Sequence, residues 1–421
     1  MIKIRNLQKK YVNKRVRISA TIDIPDDAAS KWYQHSLEQE KTKEDYSYVV
    51  EDYLDWIQGE RELYYEVDKE FESFLVTETS DCFVAGILYY AMASGHDIFC
   101  EKPVSQQLLE NLNNTLIPLV CKASNVPIIK VIAKPFYGKI GEGTEIGTGM
   151  SAGVDSLHTV YLYGTHTDPE QKLTVLTQFN VGSERYYFKH EKNMEGLERY
   201  EKQFQETKKS RVKRAKEVAE ALGMKYLQVD SNIQDIYQGL FEESHIYRTA
   251  SAVLALQKLF KKYYIASSGC SHLDYQPSIY KDPAHYEQIS VPMMSTVTTR
   301  IVSASKAYTR IDKINDLKDF PLAKRYLCVC GKHEKPCYHC GKERRTFVIL
   351  DILNCSENFS EVFDINKIKE VRNETYYWLL VEKDKKNPAT LYIYEKAEEK
   401  GLIPQKAKMK YFLHKMKHLF H

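Results

Sequence analysis

Residues 148–156, Thr-Gly-Met-Ser-Ala-Gly-Val-Asp-Ser, decide how the rest of the chain is read. Thr144–Met150 predicts a strand, and Val154–Tyr163 predicts an amphipathic helix. Between them lies the small-residue turn Ser151-Ala152-Gly153, followed by Asp155 and Ser156. A strand–turn–helix of this kind aims several backbone N–H groups and a helix N-terminus at one point, which suits a phosphate. The helix end carries roughly half a positive elementary charge, and Ser151 and Ser156 add hydroxyl donors. Asp155 repels phosphate unless a divalent cation lies between them, so the combination predicts a pyrophosphate grip with Mg²⁺. An ordinary glycine-containing turn in an α/β domain is the plain alternative. No Gly-Lys-Ser/Thr follows, which excludes a Walker loop.

Outward from the turn, strands are predicted at Leu173–Phe179, Lys225–Val229 and Tyr263–Ser267. Helices at 154–163, 192–222 and 242–262 separate them, the second ending at Leu222-Gly223. Such alternation predicts an α/β, doubly wound parallel sheet, with ligands at the carboxyl ends of its strands. The polar residues there are Ser151, Asn180, Asp230-Ser231-Asn232 and Ser267-Ser268-Gly269. Residues 1–135 predict a separate α+β domain. It would hold strands at Val16–Ile24, Leu63–Val67 and Pro127–Ala133, and helices at Asp81–Ser94 and Val104–Val120. Residues 37–51 suggest a polar loop or loose helix. Residues 285–327 predict polar loops over the site, then a helix through Ile314–Lys324. Arg300, Lys306 and Arg310 there either face anions or are plain surface charge.

Four of the nine cysteines cluster as Cys328-x-Cys330-x6-Cys337-x2-Cys340. Thiolates bind Zn²⁺ tetrahedrally at about 2.3 Å, and a Cys-x2-Cys turn brings two sulfurs to one ion. Structural zinc is the expectation, and a redox Cys-x2-Cys is the competitor. His333 and His339 are flanking residues or further ligands.

The turn, Ser151-Ala152-Gly153-Val154-Asp155-Ser156, resembles the Ser-Gly-Gly-x-Asp-Ser loop of the PP-loop ATP pyrophosphatases. Ala152 departs from that pattern, and alanine fits if the backbone there keeps a negative φ. The cysteine cluster is similar to the zinc loop of the 7-cyano-7-deazaguanine synthase branch. Cys330, Cys337 and Cys340 match its first three positions, and Glu343 stands at the fourth. A sulfur donor suits structural zinc better, so Cys328 is expected to complete the site, with Glu343 as the alternative. The resemblance covers about residues 140–355, including the zinc loop at 328–343. Residues 1–135 and the C-terminal extension 356–421 lie outside it.

The resemblance implies an adenine nucleotide α-hydrolase type of sheet and ATP cleavage between the α and β phosphates. Ser151, Ala152, Gly153, Val154, Asp155, Ser156, Asn180, Ser268 and Gly269 would bind ATP. Ser151, Asp155 and Asp230 would be catalytic, with Mg²⁺ near Asp155 and an architectural zinc. The expected activity is an AMP- and pyrophosphate-forming ligase. It would adenylate a carboxylate or amide and join it to nitrogen as an amide or nitrile, with a deazaguanine-type acid as one candidate. The alternatives are sulfur transfer through Cys270 and a non-catalytic ATP-binding module.

Composition agrees with a globular protein: 43% hydrophobic and 28% charged residues, with a formal net charge of +3. That balance gives no general affinity for nucleic acid. No secretory signal and no membrane span are expected, and nine cysteines without such a signal point to the cytoplasm. The expected partners are a small-molecule or peptide/protein substrate and, by resemblance, a second copy in a homodimer. Lys406–His421 predicts a terminal helix docking through Tyr411, Phe412, Met416 and Phe420, or else a basic binding surface.

Overall fold

Alternation of buried and exposed side chains builds the N-terminal hairpin. Ile2 and Ile4 of β1 (Ile2–Val12) and Val16, Ile18, Ala20, Ile22 and Ile24 of β2 (Arg15–Ile24) all point into one core. The computed structural model describes residues 1–41, 59–183, 194–237, 239–331 and 333–419. Most of the loop expected at 37–51 lies outside them, as does Phe420; residues 26–41 form helix α1 (Asp26–Lys41). β3 (Gly59–Asp68) pairs antiparallel with β2 along its whole length. Helix α2 (Asp81–Ser94) is apolar on every side and buried throughout except Ala93; Gly95 ends it at φ +69°. β4 (Ile98–Cys100) and β5 (Val131–Ile132) extend the sheet beyond β1 in parallel.

The second half alternates as expected: β6 (Glu145–Gly149), α3 (Val154–Tyr163), β7 (Val175–Asn180), α4 (Met194–Ala221), β8 (Lys225–Ser231), α5 (Phe241–Leu254), β9 (Phe260–Ala266) and β10 (Arg300–Ala304). These five strands are mutually parallel. Their spatial order is β10-β9-β6-β7-β8. Chain order therefore reverses between β6 and β9, and the crevice of a doubly wound sheet opens at that switch. Apolar cores lie on both faces of the sheet: one takes in α2 and α5, the other α3 and the helices after β10.

The halves are not separate sheets. β8 pairs antiparallel with β3 through Asp230↔Glu66 and Ser231↔Tyr65, making one ten-stranded, mostly parallel sheet. Several boundaries also move. The helix expected at 242–262 stops at Leu254, because Phe260, Tyr263 and Tyr264 are buried in a strand flanked by β6 and β10. The helix expected at Val104–Val120 is interrupted by a π turn at Leu112–Leu116 before Pro118, whose missing N–H and ring would clash in a regular helix. The one expected at Ile314–Lys324 is α6 (Arg310–Leu317), and Pro321 opens a new short helix.

After the cysteine loop come α7 (Gly341–Leu353), α8 (Ile365–Asp384), α9 (Pro388–Glu399) and α10 (Gln405–Leu419). α10 docks on α8 through Ala407, through Tyr411 and Lys415 on Asp384, and through the Lys410–Glu374 pair. The expected docking face is corrected in part: Phe412 and Met416 face outward with Met409 and Leu413. Among the described residues, no helix is long and apolar enough to cross a membrane.

Candidate functional site

The turn after β6 is pinned at both ends. Met150 donates its N–H to the Thr177 carbonyl at 2.8 Å, and the Ala152 carbonyl accepts the Cys328 N–H at 2.8 Å. Ala152 has φ +58° and is buried. The condition under which alanine would fit without strain, a negative φ, is not met: the position takes a left-handed backbone, which costs alanine about 1–2 kcal/mol. Gly153 is extended, at φ −75° and ψ 171°, and caps α3. Ser151 Oγ accepts the Gly153 N–H at 3.3 Å and lies 3.2 Å from Ser156 Oγ. The Ser156 hydroxyl donates to the Gly153 carbonyl at 3.1 Å.

Asp155 stands where α3 begins, and both its oxygens are engaged. Lys313 Nζ donates to Oδ1 at 2.9 Å, and Arg310 pairs with Oδ2 at 3.0 Å. Lys313 is fully buried on the apolar stripe of α6 and also donates to the Ser267 carbonyl. Burial would raise the Asp155 carboxyl, but Arg310, Lys313 and Arg345 outweigh it and hold it at about 2. Burial and the neighbouring Arg310 depress Arg345 to about 10. Three cations thus face one carboxylate, an excess of positive charge where anionic oxygens would bind. The turn offers magnesium no free carboxylate.

Three cavities meet at Asp155. One of about 280 Å³ lies beyond the ends of β6, β7 and β9, against Ser151, Gln178 and Phe179. Another of about 260 Å³ separates the turn from the cysteine loop, with Arg211, Arg310, Lys342 and Arg345 in its wall. The third, about 480 Å³, is bordered by Ser268, Gly269, Cys270, His245 and Asp282. Gly269 has φ +79°, and a Cβ there would sit 2.6 Å from the Tyr308 carbonyl oxygen. Glycine is needed at that bend.

Of the turn, Ser151, Gly153, Val154, Asp155 and Ser156 line these cavities, whereas Ala152 is buried and lines none of them; Ser268 and Gly269 border the third. Asn180 and Asp230 are not part of this group. Asp230 takes hydrogen bonds from Asn180 at 2.9 Å, Gln228 at 2.8 Å and Lys208 at 2.9 Å, and pairs with Arg15 of β2. Burial opposes its ionisation, yet Lys208, Asn180 and Arg15 hold it at about 2. Neither Asn180 nor Asp230 is among the described residues lining the three cavities. Asp230 fastens β8 to the N-terminal hairpin instead. Asp230→Ala should lower stability by about 2 kcal/mol in urea unfolding. Arg300 and Lys306 are exposed, whereas Arg310 faces the site.

The cysteine loop contains a cluster made by Cys330, Cys337, Cys340 and Glu343, whose ligand atoms all lie within 4.8 Å of one another. Glu343, fully buried in the first turn of α7, accepts the N–H groups of Cys337 at 3.0 Å and Tyr338 at 2.6 Å. The expectation that Cys328 completes the site is corrected. The Cys328 Sγ sits 3.9 Å from the Cys330 carbonyl oxygen, outside the group, and Glu343 takes the fourth place. Three soft sulfurs and an oxygen held by backbone donors suit Zn²⁺, for which four protein ligands give a closed, structural site. His333 and His339 stand outside the group.

Sequence reasoning missed Lys313, Arg345, Arg211 and His245 as site residues. Lys313 left one signal: a lysine at the i+3 position in the stripe Arg310, Lys313, Ile314 and Leu317. No protein-family model, curated protein or solved structure matches the chain, so the geometry of the turn and the cluster carries the functional argument.

Proposed function

We propose that the chain is an ATP-dependent carbon–nitrogen ligase of the PP-loop pyrophosphatase kind. The observation carrying this reading is the convergence of Arg310, Lys313 and Arg345 on the Ser151–Ser156 turn, at the switch point between β6 and β9. ATP lies with its phosphates over that turn and its adenosine toward the cavity at Gln178 and Phe179. A substrate carboxylate attacks the α-phosphorus; the bond to the β-phosphate oxygen breaks, and pyrophosphate leaves toward Arg310, Arg345 and Arg211. The protein's contribution is alignment and neutralisation of phosphate charge, with no covalent enzyme intermediate. The acyl-adenylate then yields to nitrogen. Zinc in the Cys330, Cys337, Cys340 and Glu343 group would be architectural, tying the loop to the start of α7.

Sulfur transfer through Cys270 is the weaker reading. Burial pushes the Cys270 thiol up, away from the thiolate that such chemistry needs. The test is product analysis with ATP and a panel of carboxylic acids that includes a deazaguanine carboxylic acid. AMP and pyrophosphate should form one-to-one, and Arg310→Ala should slow both by about 100-fold or more. ADP as product, or Arg310→Ala matching wild type, would remove the ligase reading.

A further inference from the structure

The turn accounts for phosphate but leaves the third cavity unexplained. That cavity, about 480 Å³, runs between α5, the Gly269 bend and the start of α9, with Asn387 and Tyr392 closing it from the C-terminal extension. Two titratable side chains border both it and the cavity beyond β6, β7 and β9: Asp155 and His245. Asp155 has both oxygens committed to cations. His245, on α5, has one nitrogen committed: Nε2 lies 2.8 Å from Asp282 Oδ1. With Nε2–H donated to that carboxylate, Nδ1 carries the ring's lone pair, the arrangement that prepares a histidine to accept a proton. Asp282 is itself fixed by accepting the Ala284 N–H at 2.8 Å. Burial alone would lower the His245 pKa, but Asp282, with Glu242 and Glu287, raises it.

We infer that the third cavity admits the nitrogen nucleophile and that His245, oriented by Asp282, takes the proton this nucleophile loses on attacking the acyl-adenylate. The inference rests on the ligase reading. The amine enters as its free base, and its lone pair forms the new C–N bond to the acyl carbon. The bond from that carbon to the AMP oxygen breaks, its electron pair leaving on the phosphate. The surplus N–H proton passes to His245 Nδ1 and then to water. His245 is the catalytic residue of this step, and Asp282 positions it.

The test separates the two half-reactions, with ammonium chloride as nitrogen source and hydroxylamine as a trap. Hydroxylamine is largely unprotonated at neutral pH and attacks an adenylate without a base. His245→Asn should lower the ratio of amide to hydroxamate formed by about 10²–10⁴-fold, the usual range for a general base. Hydroxamate formed by the same sample reports a folded protein. Imidazole should restore part of the amide yield in His245→Ala. Asp282→Asn, which keeps an acceptor for Nε2–H, should lower the amide-to-hydroxamate ratio less than His245→Asn does. The inference is overturned if His245→Asn forms amide at the wild-type rate, or if amide and hydroxamate fall together. It is also overturned if wild type makes hydroxamate but no amide. If wild type yields neither pyrophosphate nor hydroxamate with any acid of the panel, the ligase reading itself fails and this inference goes with it.

Discussion

Asp155→Ala is expected to lower stability by about 3–5 kcal/mol, because it leaves a fully buried lysine without its counter-charge. The loss should be largely relieved in Asp155→Ala/Lys313→Met, where an apolar side chain of similar length replaces the stranded ammonium. On the ligase reading proposed above, neither variant should cleave ATP, since the first disorders the cations around the Ser151–Ser156 turn and the second removes one of them. Urea unfolding of wild type, both single variants and the double variant measures the coupling directly. A single-variant loss below about 1 kcal/mol would contradict a buried, coupled pair. The same carboxylate makes a prediction about acid. Its folded pKa of about 2 lies below the ordinary 3.8, so its contribution is fully present above the unfolded value and fades as pH falls through the folded one. About 2 kcal/mol of stability should therefore disappear between roughly pH 5 and pH 1, and Asp155→Ala should lack that portion of the acid transition.

A comparably large effect is expected at the cysteine cluster. One zinc per chain should be found by elemental mass spectrometry, retained in Cys328→Ser and lost in Cys330→Ser, Cys337→Ser and Glu343→Ala. Structural zinc contributes about 10–16 kcal/mol of apparent binding energy in small domains, so chelation should sharply lower the unfolding temperature. If the Ser151–Ser156 turn holds ATP as proposed, chelation should also weaken nucleotide binding, because the loop is bonded to that turn. The Cys328 N–H donates to the Ala152 carbonyl at 2.8 Å, and Arg211 reaches the Gly331 carbonyl at 2.6 Å. Loss of zinc from Cys328→Ser with retention in Glu343→Ala would reverse the ligand assignment.

The features legible in the sequence are the local ones. The span of α3, the stop of α2 at Gly95 and the run of parallel strands each follow from periodicity, caps and turn residues within a dozen positions. The Ser151–Ser156 turn was legible for the same reason. What was not legible depends on residues far apart in the chain. Spacing left both Cys328 and Glu343 within reach of zinc; the fold decides, because the Cys337 and Tyr338 N–H groups grip the Glu343 carboxylate. Asp230 carries a catalytic residue's charge at a strand end, yet Arg15, more than two hundred positions earlier, claims it. Arg310 could not be told from surface charge until α6 was laid beside α3. β1 did have a local signal, Ile2 and Ile4 alternating with basic residues, and it went unread.

The pairing of β3 with β8 also sets a clock on the ribosome. Glu66 must wait for Asp230, about 160 residues later, and at 5–20 residues per second that is roughly ten to thirty seconds of synthesis. Throughout that interval the nascent hairpin presents β3 as a bare edge, open to any other extended segment that passes. Residues that blunt an edge are already in place along it: Glu60, Arg61, Glu62, Glu66 and Asp68 stud the strand with charge. Read this way, the polar face of β3 guards the growing chain before it serves the finished one.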